Sequence, residues 1–312
     1  MASAPSPVTG ATFFGYWSGE LPQLAQLHFR SFLRHHPDAR YELWLDIDAG
    51  SAVDAPELQW LKLHPRVQLR GFSLNRLIGK HMGIDVEAAS APSRLRPLRR
   101  AVHAVHRVVR PGWTRRKAWD HEVYGLTYMH SSRLFPGFAA DRTYRADVAR
   151  LLIAREHYAQ PSVGCSLDVC FTGDLTPLCG AAAFVFRRQR HGFADNAIVY
   201  LPGASWSEAL ARKAIAIETF RPWILLSDET CAELGIALHP GRLIDPLRDD
   251  TSLLYGDTAK FFGSRKNLAL DLHALSIERH LAIHWHGQWD AVPARTSIYA
   301  GLLKAAEEAT AG

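Results

Sequence analysis

Apolar runs and helical stripes alternate along the first part of the chain. Ala11 to Trp17 (ATFFGYW) is an apolar, β-prone run and predicts the first core strand. Ser18, Gly19 and Glu20 break it, and Pro22 stands near the first turn of a helix. The stripe of that helix is Leu24, Leu27, Phe32 and Leu33, and it ends at His35. Tyr41 to Leu45 (YELWL) predicts a second strand ending at Asp46 and Asp48, Ala55 to Leu63 a short helix, and Val67 to Phe72 a third strand. Such alternation predicts an α/β fold with a mostly parallel sheet wound by helices. Loops beyond the C-terminal strand ends then build the ligand site, and Ser18, Gly19 and Asp46 sit on such loops. Ordinary turn chemistry accounts for the same residue types.

The stretch from Tyr144 to Leu175 is the most informative. Its first part (YRADVARLLIAREHYAQ) is helical by period, with Val148, Leu151, Leu152 and His157 on one face. Asp147 and Arg150 stand three residues apart on it, so they project one turn apart. Gln160 and Pro161 stop the helix, Val163 to Leu167 read as a short buried strand, and Asp168 falls at or just past its end. A carboxylate at a strand end, beside a helix carrying an Asp and an Arg, is where α/β enzymes place ligand chemistry.

Further on, Ala181 to Arg187 and the run from Asp195 to Tyr200 predict strands, and Leu238 to Pro246 a loop or edge strand. Ser205 is placed to cap a helix from Trp206 to about Glu218, with Glu208 in the capping-box position. Ser227 caps another that ends at Leu234, and a terminal helix runs from about Ser297 to Ala309. Leu281 to Trp289 holds His284 and His286, whose spacing puts both on one face of an extended strand.

Residues from Ser73 to Phe138 break the alternation. Leu95, Leu98, Val102, Val105 and Val109 recur at helical spacing among arginines. Nine basic residues and no acid lie between Ala91 and Lys117 (Arg94, Arg96, Arg99, Arg100, Arg107, Arg110, Arg115, Arg116, Lys117). With a net charge of +5, everything else carries −4. The basicity is therefore one patch, and no nucleic-acid partner is expected. A basic amphipathic helix can lie on an anionic membrane surface or grip an anionic acceptor, or pack on the core by its valines with a solvated basic face.

An apolar content of 47% and 21% charged residues in 312 residues fit a soluble globular protein able to bury a core. The N-terminal segment lacks the pattern of a secretory signal, and no apolar run is long enough to span a membrane. The expectation is a cytoplasmic protein, peripheral to the inner membrane face if the arginine run binds lipid. Cys165, Cys170, Cys179 and Cys231 lack the spacing of a structural zinc site and read as buried free thiols.

Taken together, these blocks resemble the DXD-motif sugar transferases related to yeast mannosyltransferases, bacterial capsular-polysaccharide glycosyltransferases and the catalytic domains of large clostridial toxins. FFGYWSGELPQ is similar to that family's opening strand and Trp/Gly loop, YELWLD to its second strand, and RADVARLLI to its (S/A)-D-x-x-R helix. PSVGCSLDV occupies the place of its GG-(I/V)-Y-L-D-x-D-V block. DNAIVYLPGAS, ETFRPWILLSDETCAELG and AIHWHGQW resemble its N-x-I, TGPW-x-L and H-x-W blocks.

The resemblance implies one GT-A-like domain over residues 1–312, a Rossmann-type mixed sheet flanked by helices, with a basic helical insertion over about 74–138. It implies transfer of a sugar from a nucleotide diphosphate sugar, with UDP the commonest base, to a glycan or lipid-linked acceptor. Configuration would be retained, and a divalent metal, Mn²⁺ or Mg²⁺, would assist. Carried over residue by residue, Trp17, Ser18, Gly19, Asp46 and Ser166 would hold the donor. Asp147 would contact its sugar, and Arg150 its sugar or phosphates. Asp168, with His284 or His286, would bind the metal that neutralises the diphosphate leaving group. One departure stands out: Ser166 occupies the place of the first acid, and it can hydrogen-bond but adds no charge. A relative that binds a nucleotide sugar or a partner protein without turnover is therefore the competing reading. Histidines beside a Trp at a strand end also serve as packed, hydrogen-bonded core residues.

The arginine run yields a first prediction. Wild type should sediment with anionic vesicles more strongly than a variant carrying Arg94→Glu, Arg96→Glu, Arg99→Glu and Arg100→Glu. Equal partitioning would remove the membrane expectation.

Overall fold

The computed structural model describes residues 11–86, 142–187, 194–217, 220–256 and 258–311. The arginine-rich segment Arg94–Lys117 and most of the expected insertion lie outside the described residues.

Seven strands form the main sheet: β1 (Thr12–Ser18), β2 (Arg40–Asp46), β3 (Val67–Phe72), β4 (Ser162–Cys165), β6 (Phe184–Arg187), β7 (Ala194–Leu201) and β8 (Ala237–Pro240). Their order is β3-β2-β1-β4-β7-β6-β8. β1, β2, β3 and β4 run parallel, β7 is antiparallel to both neighbours, and β8 is parallel to β6. The fold is thus α/β with a mostly parallel sheet. A two-stranded antiparallel ribbon of β5 (Val169–Phe171) and β9 (Ala282–His284) lies beside it.

Helices cover both faces because the central strands are apolar on both sides. On one face α1 (Ala25–His35) packs on Phe13, Tyr41, Leu43, Val163 and Tyr200. On the other, α3 (Leu74–Met82) and α4 (Arg142–His157) pack on Phe14, Tyr16, Trp44 and Val199. The helices α2 (Gln59–Lys62), α5 (Ala204–Ala216), α6 (Pro222–Leu225) and α7 (Asp228–Leu234) flank the sheet. A third cluster gathers Phe261, Phe262, Trp285 and Tyr299 where α8 (Ala259–Phe262), α9 (Leu268–Glu278) and α10 (Ile298–Ala311) meet β9. Among the described residues no helix is long and apolar enough to cross a membrane.

Several sequence expectations shift by physical causes. The Ala55–Leu63 helix is a 3₁₀ turn (Pro56–Leu58) followed by the single helical turn of α2. α5 begins at Ala204, with Gly203 at its cap and no side-chain cap bond, so the expected Ser205–Glu208 capping box does not form. Glu208 pairs with Arg155 and Arg212 instead. Ser227 does cap α7, accepting from Thr230 N at 3.2 Å. α4 is buried along most of its length, from Tyr144 to Ala154 apart from Ala146, while His157 is exposed. The four cysteines are free and buried.

α1 is docked through two neutral histidines. His28 donates from Nδ1 to Val169 O at 2.7 Å and accepts at Nε2 from Tyr41 Oη at 2.7 Å. Gly15 of β1 lets Tyr41 pass, since a Cβ there would collide with the Tyr41 hydroxyl and with Leu167. His36 accepts at Nε2 from Leu175 N at 3.1 Å and stacks on Phe32 at 5.3 Å. Phe13, Phe32 and Tyr41 complete this layer at centroid distances of 4.9–5.1 Å. Burial of each such side chain contributes about 1.5–3 kcal/mol.

Burial pushes His28 and His36 down to about 4. The unfolded chain binds those protons near pH ~6.5, so stability should fall as pH drops from there toward 4 and level off below. Each histidine contributes up to about 1.4 kcal/mol per pH unit in that window. Thermal unfolding against pH should show a shallower acid slope in His36→Gln than in wild type.

Candidate active site

The strand order turns back between β1 and β4: β2 and β3 follow β1 on one side, and β4 lies on the other. In open α/β sheets the crevice outside the C-terminal ends of those two strands receives the ligand. Trp17 and Ser18 end β1 there and Gly19 follows, while Ser166, Leu167 and Asp168 leave β4. β4 ends three residues before Asp168, so the expected Val163–Leu167 strand is shorter and Asp168 sits in the tight turn to β5.

Asp168 enters a buried cluster. Its Oδ2 accepts from His284 Nε2 at 3.2 Å, while its Oδ1 is buried with no hydrogen-bond partner. His284 Nδ1 faces Asp195 Oδ2 at 3.5 Å, and His286 Nε2 donates to Asp245 Oδ1 at 2.9 Å. The two imidazoles lie 4.1 Å apart between centroids. They converge by a route other than the one expected. β9 stops at His284, and His286 (φ 56°) with Gly287 (φ 69°) takes a left-handed turn that folds its ring back. Such a conformation is strained for histidine and persists only where the surroundings enforce it.

Burial would lower the His284 pKa, but the Asp168 and Asp195 carboxylates outweigh it and raise it to about 10. Burial would also raise that of Asp168. The charge and hydrogen bond of His284, with Ser166 and His286, hold it well below the usual carboxylate range.

A divalent cation fits this donor set. Asp195, His284 and His286 each offer a ligand atom within 4.8 Å of the others, and imidazole with carboxylate is a common set for such ions. Asp168 Oδ1 and His284 Nδ1 are buried without a hydrogen bond of ordinary geometry, which is unusual for buried polar atoms.

The second cluster surrounds Asp147. Its Oδ1 accepts from Arg150 Nη2 at 3.1 Å and Asn196 Nδ2 at 2.8 Å, and its Oδ2 lies 3.5 Å from Arg221 Nη1. Arg221 in turn stacks 4.2 Å from the Tyr144 ring centroid. Asp147, Arg150 and Asn196 line a pocket closed by Leu151, Phe220 and Leu225. Asn196 and Asp195 are neighbours on β7, so that strand touches both clusters.

Asp46 has a different task from the one expected. It is fully enclosed, accepting from Tyr16 Oη at 2.7 Å and pairing with Arg145, itself only 2% exposed. Asp46 Oδ1 also caps Asp48 N at 3.2 Å. The carboxylate anchors α4 and has no surface open to a ligand in this structure. In the β1 loop, Trp17 donates to Glu20 O at 2.8 Å and meets Trp289 edge-on at 4.9 Å. Gly19 (φ 83°) donates to Ser51 Oγ at 2.9 Å, and Ser18 is buried. Trp289 and Asp168 both approach Gly287, so this loop borders the Asp168 cluster.

The sequence reading missed Asp195, Asp245, Arg221 and Trp289 as site residues. The β4–β7 register pairs Cys165 with Ile198, and Ser166 N donates to Ala197 O at 2.7 Å. β4 stops at Cys165, and His284 of β9 stands between Asp168 in the following turn and Asp195. No local signal in the sequence reveals that arrangement.

No family model matches the chain, and no curated protein matches its sequence. Solved structures do resemble its coordinates. The galactosyltransferase LgtC, in complex with donor and acceptor sugar analogues, shares 11% identity over 94% of this chain and 95% of its own, at a TM-score of 0.43. WbbM, a bifunctional glycosyltransferase, shares 12% over 98% of this chain and 51% of its own, at 0.47. The glycosyltransferase GlyE of Streptococcus pneumoniae shares 11% over 97% and 64%, at 0.43. The chain spans about half the length of WbbM. Similarity this distant does not carry an activity from those proteins to this one.

Asp46→Ala should cost about 3–5 kcal/mol in denaturant unfolding, because it strands a buried arginine. Tyr16→Phe removes one hydrogen bond and should cost about 1–3 kcal/mol. A ligand-contacting role for Asp46 would instead leave stability near wild type.

Proposed function

We propose that the chain is a glycosyltransferase that moves a sugar from a nucleotide diphosphate sugar, most simply a UDP-sugar, to a glycan or lipid-linked acceptor with retention of configuration. The observation that carries this reading is the meeting, at the turning point of the strand order, of an Asp/His cluster suited to a divalent cation and a hydrogen-bonded Asp147–Arg150–Asn196 cluster whose polar groups match sugar hydroxyls and phosphate. The GT-A resemblance of the sequence blocks supports it, because the blocks that suggested donor and metal contacts converge on one end of the sheet.

In this reading the β1 loop (Trp17, Ser18, Gly19) borders the nucleotide, and Ser166 offers a hydroxyl to it. Asp147 is held by two arginines and Asn196, so its carboxylate is already oriented when the sugar hydroxyls arrive. Arg150 brings positive charge to the sugar–phosphate end. A bound Mn²⁺ or Mg²⁺ would supply neutralisation of the departing diphosphate. The acceptor oxygen forms the new bond to the anomeric carbon as the bond to the diphosphate oxygen breaks, and the acceptor proton passes to that phosphate. The protein contributes position and a fixed electrostatic field.

Ser166 in place of an acid favours one second reading, a binding protein without turnover. Thermal shift with UDP-, GDP- and dTDP-sugars, with and without Mn²⁺, tests the donor. One donor class should stabilise the fold by about 2.7 kcal/mol at a hundredfold excess over its Kd. Donor hydrolysis or transfer should then fall roughly 10–100-fold in Asp168→Ala. No shift with any donor would sink the proposal; a shift with no turnover on an acceptor panel would favour the second reading.

A further inference from the structure

The two histidines of the Asp168 cluster are built alike. His284 gives Nε2 to Asp168 Oδ2 at 3.2 Å, and His286 gives Nε2 to Asp245 Oδ1 at 2.9 Å. Metal-binding histidines characteristically donate their other ring N–H to a carboxylate, which fixes tautomer and ring orientation. A ring can coordinate one ion only through the nitrogen not given to its carboxylate, which here is Nδ1 in both cases; at His284 the cation takes the place of the proton that faces Asp195.

The third participant is Asp195, only 3% exposed at the start of β7. Its Oδ2 stands 3.5 Å from His284 Nδ1, a buried nitrogen with no hydrogen-bond partner. Two ligands of one cation at bond lengths of about 2.0–2.2 Å sit roughly 3–3.5 Å apart. This spacing is long for a hydrogen bond and right for a shared ion. Asp195, His284 and His286 together keep their ligand atoms within 4.8 Å, and the left-handed turn at His286 keeps the rings at 4.1 Å.

We propose that a divalent cation is held directly by Asp195, His284 Nδ1 and His286 Nδ1, with Asp168 and Asp245 as outer carboxylates that orient the two rings. The assignment rests on the glycosyltransferase reading for what the cation does, and not for its binding. It moves Asp168 one bond away from the ion. It also relocates the acid that Ser166 lacks: β7 supplies it as Asp195, on the far side of the His284 ring from Asp168. Asp168 and Asp245 are positioning residues here, and Asp195 is a ligand.

The test uses the full chain with ¹⁵N-labelled histidine and Zn²⁺ as a diamagnetic probe. Long-range ¹H–¹⁵N correlation should show two rings coordinated at Nδ1 and protonated at Nε2, each lost in His284→Gln or His286→Gln. Coordination through Nε2 in either ring, or no zinc-shifted ring, overturns the assignment. Calorimetry with Mn²⁺ alone gives a second readout. Asp168→Asn should weaken binding about 10–100-fold, the usual effect of an outer partner, and Asp195→Asn should weaken it more. The reverse order overturns the assignment. Transfer activity with Nε2 coordination would refute this proposal and leave the glycosyltransferase reading standing. Nδ1 coordination without transfer on any donor would refute only that reading.

Discussion

The ion pair between Asp46 and Arg145 sets the geometry on which the rest depends. Both groups are almost closed off from water, and a buried charge is tolerable only when a partner and further hydrogen bonds replace its hydration. Tyr16 supplies the additional bond. The pair ties the first turns of α4 to the C-terminal ends of β1 and β2, the end where the sheet opens to a ligand. Asp147 and Arg150 ride on the same helix two and five residues further along, so their place beside the crevice follows from that anchor.

A second constraint comes from β7. Being antiparallel to β4, it delivers its first residues to the end of the sheet where β4 finishes. Asn196 reaches Asp147 and Asp195 reaches His284. The Asp147 cluster and the Asp/His cluster are thus coupled through two adjacent residues of one strand. The β5–β9 ribbon closes the arrangement by pairing Val169 with His284, which holds the histidine turn against the Asp168 turn.

Much of the architecture was legible from local pattern. The apolar runs at β1, β2 and β3, the helix α1 between the first two, and the Ser227 cap all follow from propensity and period. The helix carrying Asp147 and Arg150, and a carboxylate at the end of β4, were legible for the same reason. The Asp46 carboxylate reads identically in sequence whether it meets a ligand or a buried arginine. Arg145 decides that question, and it lies 99 residues away. The His284–His286 spacing suggested a shared face in an extended strand, whereas the rings meet through a left-handed turn that spacing alone does not encode.

By itself, then, the sequence determined the strand and helix inventory of the parallel half and the residue types available for chemistry, because those depend on neighbours a few positions apart. The tertiary structure decided which acids share a site. Asp168, Asp195, Asp245 and the two histidines come from separate elements, and their meeting depends on strand register and on paired burial of charge. It also decided that the Tyr144–Leu175 stretch is two things at once. Its helix is anchored deep in the core by Arg145, and its turn presents Asp168 to the histidines that only β9 brings near.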